Sequence, residues 1–301
     1  MIRLQNLGWM LLAALLTGCA SVPINLPAIT DQPTNVRQPG RIVWHDLLTD
    51  KPAESQRFYE ELFGWEFSRI GPNFGPLAQA NYLLIRHEGR LIGGMIDENR
   101  LNNDKDISQW VVLMSTDDID GAVAALERAG GTVFTPPTDL ADRGRIAVVT
   151  DPEGALFALL QTRDGDPPEL EPQLNGFLWN ELWTDDPTAA ASFYADIVGV
   201  DKAQSAFDDG GVYYYMSADG APRFGLLQSP LDGIPALWAT YVRVADVAAT
   251  VARVEALGGR VLLEPQQDPR GGQVALIADP SGAGFALQTW EPDNRLARNE
   301  E

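Results

Sequence analysis

Short runs of alternating apolar and polar residues, four to seven long, recur along this chain and read as strands. Ile42 to Leu48 is the first, and Thr132 to Phe134, Arg145 to Thr150 and Ala155 to Gln161 are others. Segments of helical period lie between them. Ala53 to Leu62 brings Phe58, Leu62 and Phe63 to one face and stops at Gly64, and Ala122 to Ala129 stops at Gly130-Gly131. In order, the elements predict a unit of strand, helix and three strands, occurring four times.

The units pair into a longer repeat. Val43-Trp44-His45-Asp46-Leu47-Leu48-Thr49, running to Phe58-Tyr59, is matched by Leu178-Trp179-Asn180-Glu181-Leu182-Trp183-Thr184, running to Phe193-Tyr194. Asp151-Pro152-Glu153-Gly154 is matched by Asp279-Pro280-Ser281-Gly282. The opening offset is 135 residues and the closing offset 128, so the second copy is shorter by seven. A repeat of this length means two similar domains, residues 41–163 and 176–290, around a proline-marked hinge at 164–175.

These motifs resemble the vicinal oxygen chelate superfamily of glyoxalases, extradiol dioxygenases and bleomycin- or fosfomycin-resistance proteins. The likeness is strongest to the subgroup whose first strand reads Trp-x-acid-Leu-x-Thr before a helix containing Phe-Tyr. The resemblance implies an α+β fold of two tandem glyoxalase-like domains, each made of two βαβββ units curling into an eight-stranded cleft. It also implies a metal site, with a His or Gln early in a unit's first strand and a Glu in its last strand holding a divalent ion. Here those positions fall on Trp44, Val111 and Ala158, and on Trp179, Ala239 and Ala286. None of these side chains can ligate a metal, so neither a metal nor another cofactor is expected. The two histidines of the chain, His45 and His87, both lie in the first copy. Alternation turns His45 away from the ligand position, toward packing at the sheet–helix interface.

Asp46 and Glu181 stand two residues after the tryptophans and share their face, toward the cleft. An acid beside an indole can bind a cation through ring attraction and a charge-assisted hydrogen bond. The competing reading, which weighs more, makes Trp44 and Trp179 plugs of clefts that have lost their metal. Tyr213 and Tyr215 alternate along a strand and are candidates to line the second cleft, and Arg145 could face a ligand in the first. No Gly-rich phosphate loop, serine elbow or paired cysteine occurs.

The N-terminus bears on location. An apolar run from Trp9 to Leu16 follows Arg3, too short to span a bilayer and laid out like an export signal over residues 1–18. It ends Leu16-Thr17-Gly18-Cys19, which resembles the bacterial lipobox and implies lipidation of Cys19, the chain's one cysteine. Ala20 in place of Asp implies transfer to the outer membrane, facing the periplasm. Residues 19–40, with Pro23, Pro27, Pro33 and Pro39, read as an extended tether, and 291–301 as a charged tail. A formal charge of −20 argues against nucleic acid as a partner, leaving a small molecule and, through the anchor, the membrane. Nothing in the sequence bears on oligomeric state.

Three functions compete: a metal-free, lipid-anchored protein binding a small cationic or aromatic ligand, a metal-dependent enzyme of glyoxalase or dioxygenase type, and an interaction scaffold with vestigial clefts. The missing ligands favour the first.

Overall fold

Each domain is built from two copies of the expected unit. In the first domain these are β1 (Ile42–Thr49), α1 (Pro52–Phe63), β2 (Glu66–Arg69), β3 (Leu83–His87) and β4 (Arg90–Asp97), then β5 (Gln109–Ser115), α2 (Ile119–Arg128), β6 (Thr132–Asp139), β7 (Gly144–Thr150) and β8 (Leu156–Thr162). The second has β9 (Phe177–Thr184), α3 (Pro187–Val198), β10 (Asp201–Ala206), β11 (Val212–Ala218) and β12 (Ala221–Gln228), then β13 (Leu237–Arg243), α4 (Val247–Val254), β14 (Arg260–Gln267), β15 (Gln273–Ala278) and β16 (Gly284–Gln288). The structure, a computed structural model, describes residues 25–70, 82–101, 106–206, 212–231 and 233–290. The expected signal peptide, Cys19 and the charged tail lie outside the described residues.

Local chemistry explains the helix ends. The side chains of Asp118, Asp186 and Asp246 accept hydrogen bonds from first-turn amides of α2, α3 and α4, and α1 ends on Gly64 at φ 74°. The first sheet runs β2-β3-β4-β1-β5-β8-β7-β6 and the second repeats that order. Within a unit the first and last strands pair parallel, while the two units of a domain meet antiparallel, β1 on β5 and β9 on β13. Period two then sorts β1: Trp44, Asp46 and Leu48 face into the cleft, and His45 and Leu47 face out.

The outer faces carry the helices, and there the two domains share their cores. One cluster joins Ile119, Leu126 and Phe157 to Tyr194, Phe224 and Trp238, and another joins Phe58, Tyr59 and Phe63 to Val247, Val251 and Phe285. Each such side chain contributes about 1.5–3 kcal/mol by burial, so neither domain keeps its core alone. Polar contacts cross the same seam. Tyr194 donates to Asp151 (3.2 Å), Ser55 donates to Asp279 (2.7 Å), and His45 Nε2 lies 2.9 Å from Asn180 Oδ1, its counterpart in the second copy. His45 also stacks on Phe177 with centroids 3.8 Å apart. It therefore packs at the domain–domain seam, not merely against a helix, and burial lowers its pKa to about 4, against a small opposing effect of the Asn180 hydrogen bond.

Two expectations need correction. Residues 25–40 are not a tether that lifts the domains away: Leu26 and Ile29 are 4% and 2% exposed and pack among Trp44, Leu48 and Leu113 inside the first cleft. Aliphatic side chains in an extended, proline-spaced segment have only this apolar surface to cover, and the gain outweighs a free chain's entropy. Nor is 164–175 a loose hinge. Asp166 accepts from the Gln38 amide (2.7 Å) and Thr162 (2.9 Å), and Arg41 donates to the Pro167 and Pro168 carbonyls at 2.6 and 3.1 Å.

Candidate functional site

Each cleft is built around the same four side chains. In the first domain Trp44 Nε1 and the Tyr82 hydroxyl both donate to Asp46 Oδ1, at 2.9 and 2.6 Å. Arg143 donates to the Tyr82 oxygen (2.8 Å), and its guanidinium lies 4.7 Å from the centroid of the Trp44 ring. In the second domain Trp179 Nε1 donates to the Tyr213 hydroxyl (2.9 Å), which donates to Glu181 Oε1 (2.6 Å), and Arg270 pairs directly with that carboxylate. Trp, acid, Tyr and Arg thus recur as a quartet.

Neighbouring strands make room for it. Gly94 on β4 and Gly225 on β12 lie under the two tyrosines, where a Cβ would fall on the hydroxyl of Tyr82 or Tyr213. The arginines come from the turns ahead of β7 and β15. Those turns close alike, Leu140 N on Gly144 O at 2.7 Å and Asp268 N on Gly272 O at 3.0 Å.

The quartets differ in what surrounds them. Trp44 is completely enclosed, with Leu26 and Ile29 over it. Trp179 is half-buried and opens on a cavity of about 740 Å³ that runs from Tyr213 and Arg270 to the seam and the linker, touching His45, Asn180, Arg223 and Glu169. Asp268 takes the place of Leu140 there and holds Arg270 by two bonds, Nε–Oδ1 2.8 Å and Nη2–Oδ2 2.6 Å. Tyr241 adds a bond to Glu181 Oε2 (2.5 Å). Burial raises the carboxyls of Asp268 and Asp46, the latter opposed by the Arg143 charge, and lowers Arg270 to about 10. Two carboxylates against one guanidinium leave the buried end of this cleft with an excess of negative charge, and the cavity wall beyond it carries Arg41 and Arg223 with Glu169 and Glu171.

Of the residues singled out by sequence, Trp44, Asp46, Trp179, Glu181 and Tyr213 come together as described. Tyr215 shares the Tyr213 face, its ring 4.7 Å away, but is only half-buried. Arg145 is a correction: it stands outside the cleft, in a surface ion pair with Asp120 on α2 at 2.6 Å, because alternation along β7 turns it outward. Sequence reasoning missed Arg143, Arg270 and Asp268. The signal available was the pair Arg143-Gly144 and Arg270-Gly271, kept in both copies but one residue out of register.

The inner faces also test the family's metal. Trp44, Val111 and Ala158 share the first cluster, and Ala239, Ala286 and Trp179 the second. Indole, isopropyl and methyl groups offer a divalent ion no donor, and Asp46 and Glu181 are already engaged by hydrogen bonds. Among the described residues no three His, Cys, Asp or Glu side chains cluster as metal ligands. This donor set does not fit the metal.

A family model for the Glyoxalase/Bleomycin resistance protein/Dioxygenase superfamily matches residues 41–159 and 176–287. The putative glyoxylase CFP32 of Mycobacterium tuberculosis is 31% identical over 244 residues, 81% of this chain and 92% of that protein. The anthracycline biosynthesis protein DnrV of Streptomyces peucetius is 32% identical over 263 residues, 83% of this chain and 93% of that one. Among solved structures, the Mn(II)-bound glyoxalase from Novosphingobium aromaticivorans superposes with a TM-score of 0.58 at 15% identity, covering 84% of this chain and 83% of that one. At that identity the likeness shows the fold alone.

Proposed function

Because the chain belongs to the glyoxalase/bleomycin resistance protein/dioxygenase superfamily, we propose that it uses the fold to bind a small ligand in its second cleft without a metal. The carrying observation is the cavity of about 740 Å³ against Trp179 and Tyr213. Rings on its wall favour an aromatic body, and the buried Glu181 and Asp268 against Arg270 behind Trp179 and Tyr213 favour a positive charge at that end, while Arg41 and Arg223 stand with Glu169 and Glu171 elsewhere on the wall. The metal-dependent alternative lacks donors at the positions where the family carries them.

A charge series on one ring system tests this reading. In calorimetric titrations of the full chain, tryptamine is expected to bind more tightly than the neutral tryptophol, and indole-3-acetate least. Glu181→Gln, which removes the buried negative charge behind Trp179 and Tyr213, should weaken tryptamine more than it weakens tryptophol. Equal affinity across the series removes the cationic reading, and stoichiometric metal in protein purified without chelator removes the metal-free one.

The proposal places the protein on the bacterial envelope through Cys19, on the strength of Leu16-Thr17-Gly18-Cys19. Two or more acyl chains, at about 0.8 kcal/mol per buried methylene, would hold it there. Cys19→Ser should release the protein from sedimented membranes or leave its signal uncleaved; unchanged fractionation and migration would contradict the anchor.

A further inference from the structure

Beneath Leu26 and Ile29 the first cleft keeps the whole quartet, and its arginine is incompletely used. Arg143 is 1% exposed; its Nε donates to the Pro27 carbonyl (3.1 Å), its Nη1 to Tyr82 (2.8 Å), and its Nη2 has no partner among the described residues. Arg270, by contrast, has all three nitrogens committed, two to Asp268 and one to Glu181. A buried guanidinium with a spare N–H asks for another acceptor oxygen.

The segment over it is lightly fastened. Among the described residues its polar ties between Asn25 and Ile29 are the Leu26 amide on Leu140 O (3.2 Å) and the Arg143 bond to Pro27, with an exposed Asp31–Arg86 pair (3.1 Å) beyond. Asp31 to Val36 is exposed, and the first firm anchorage is at Thr34 and Asn35, on Asp166 and Asp164. The stretch ahead of that anchorage belongs to neither sheet.

We infer that residues 25–31 are a displaceable plug of the first cleft, and that the molecule displacing it is an apolar or aromatic carboxylate. Its body replaces Leu26 and Ile29 against Trp44. Its carboxylate replaces the Pro27 carbonyl on Arg143 and takes up the idle Nη2, a fork-on-fork match that a peptide carbonyl cannot make. The inference goes beyond the second cleft and does not depend on what that cleft takes. It gives the two copies opposite preferences, a carboxylate in the first and a cation in the second.

The test uses indole-3-propionate on the full chain, with far-UV circular dichroism and the melting curve as independent controls of folding. Leu26→Asn/Ile29→Asn should bind it at least tenfold more tightly than the parent, and adding Arg143→Gln should abolish that gain. In the unmodified protein, saturating indole-3-propionate should speed hydrogen exchange at the Leu26 amide, a readout that needs no variant to fold. A folded double variant with parental affinity, a gain that survives Arg143→Gln, or an unchanged Leu26 amide at saturation would each overturn the plug.

Discussion

The two clefts start from the same quartet and end in opposite states. In the first, Leu140 continues the apolar wall and the chain's own Leu26 and Ile29 close it over Trp44. In the second, the equivalent turn carries Asp268, which clamps Arg270 across Tyr213 and Tyr241 and leaves Trp179 beside open space. The two turns close by equivalent hydrogen bonds but differ inside, with Ala141 at φ 56° where the second copy has Pro269, so the change from Leu140 to Asp268 comes with an arginine shifted by one residue. An aliphatic residue there can complete an apolar seat for a segment of chain, whereas a buried acid must be answered by charge.

The largest test of this contrast is on stability. Trp44→Ala should cost about 3–5 kcal/mol in a denaturant or thermal melt, the usual loss for a truncated buried aromatic, and Trp179→Ala clearly less because its ring is already partly exposed. Equal losses would mean that the two clefts are filled alike. Next in size is the pair His45 and Asn180 at the seam. The folded state holds the imidazole neutral down to about pH 4, while the unfolded chain protonates it as the pH falls through about 6.5. Stability from this group is therefore complete above about pH 6.5 and declines toward pH 4, by about 3 kcal/mol in all. Asp46, Asp151, Asp268 and Asp279, whose pKa values are raised mainly by burial, act in the opposite sense as acid is added. The difference between the parent and His45→Asn isolates the imidazole, and parallel pH–stability curves would show that it does not titrate this way. The smallest effect belongs to Arg145, where the second copy has Gln273. Arg145→Gln should leave stability nearly unchanged, as for an exposed ion pair, and should leave ligand affinity untouched. A loss of binding would return Arg145 to the site.

Periodicity made the fourfold unit, the inward Trp–acid pairs and the outward His45 legible in the sequence, because alternation along a strand fixes each side chain's face. It is silent in turns. Arg143 and Arg270 sit on irregular backbone, and their positions differ by one residue between copies, which hides their equivalence. Leu26 and Ile29 were read as part of a tether because two aliphatics among prolines form no periodic pattern; only a cavity of the right shape gives them a place. The repeated Phe-Tyr and Asp-Pro-x-Gly motifs had a cause that a single domain could not disclose, since Tyr194 and Asp279 find partners across the seam.

That seam makes the chain a pair of protomers written as one polypeptide. Asp151 of the first copy reaches Tyr194 of the second, and Asp279 of the second reaches Ser55 and lies against Tyr59 of the first, the reciprocal pattern of an isologous interface. Cut between the copies, the halves would stay together as a dimer does. Within it, each cleft can differ in chemistry while the shared framework is kept, as where the first encloses Leu26 and Ile29 and the second stays open beside Trp179.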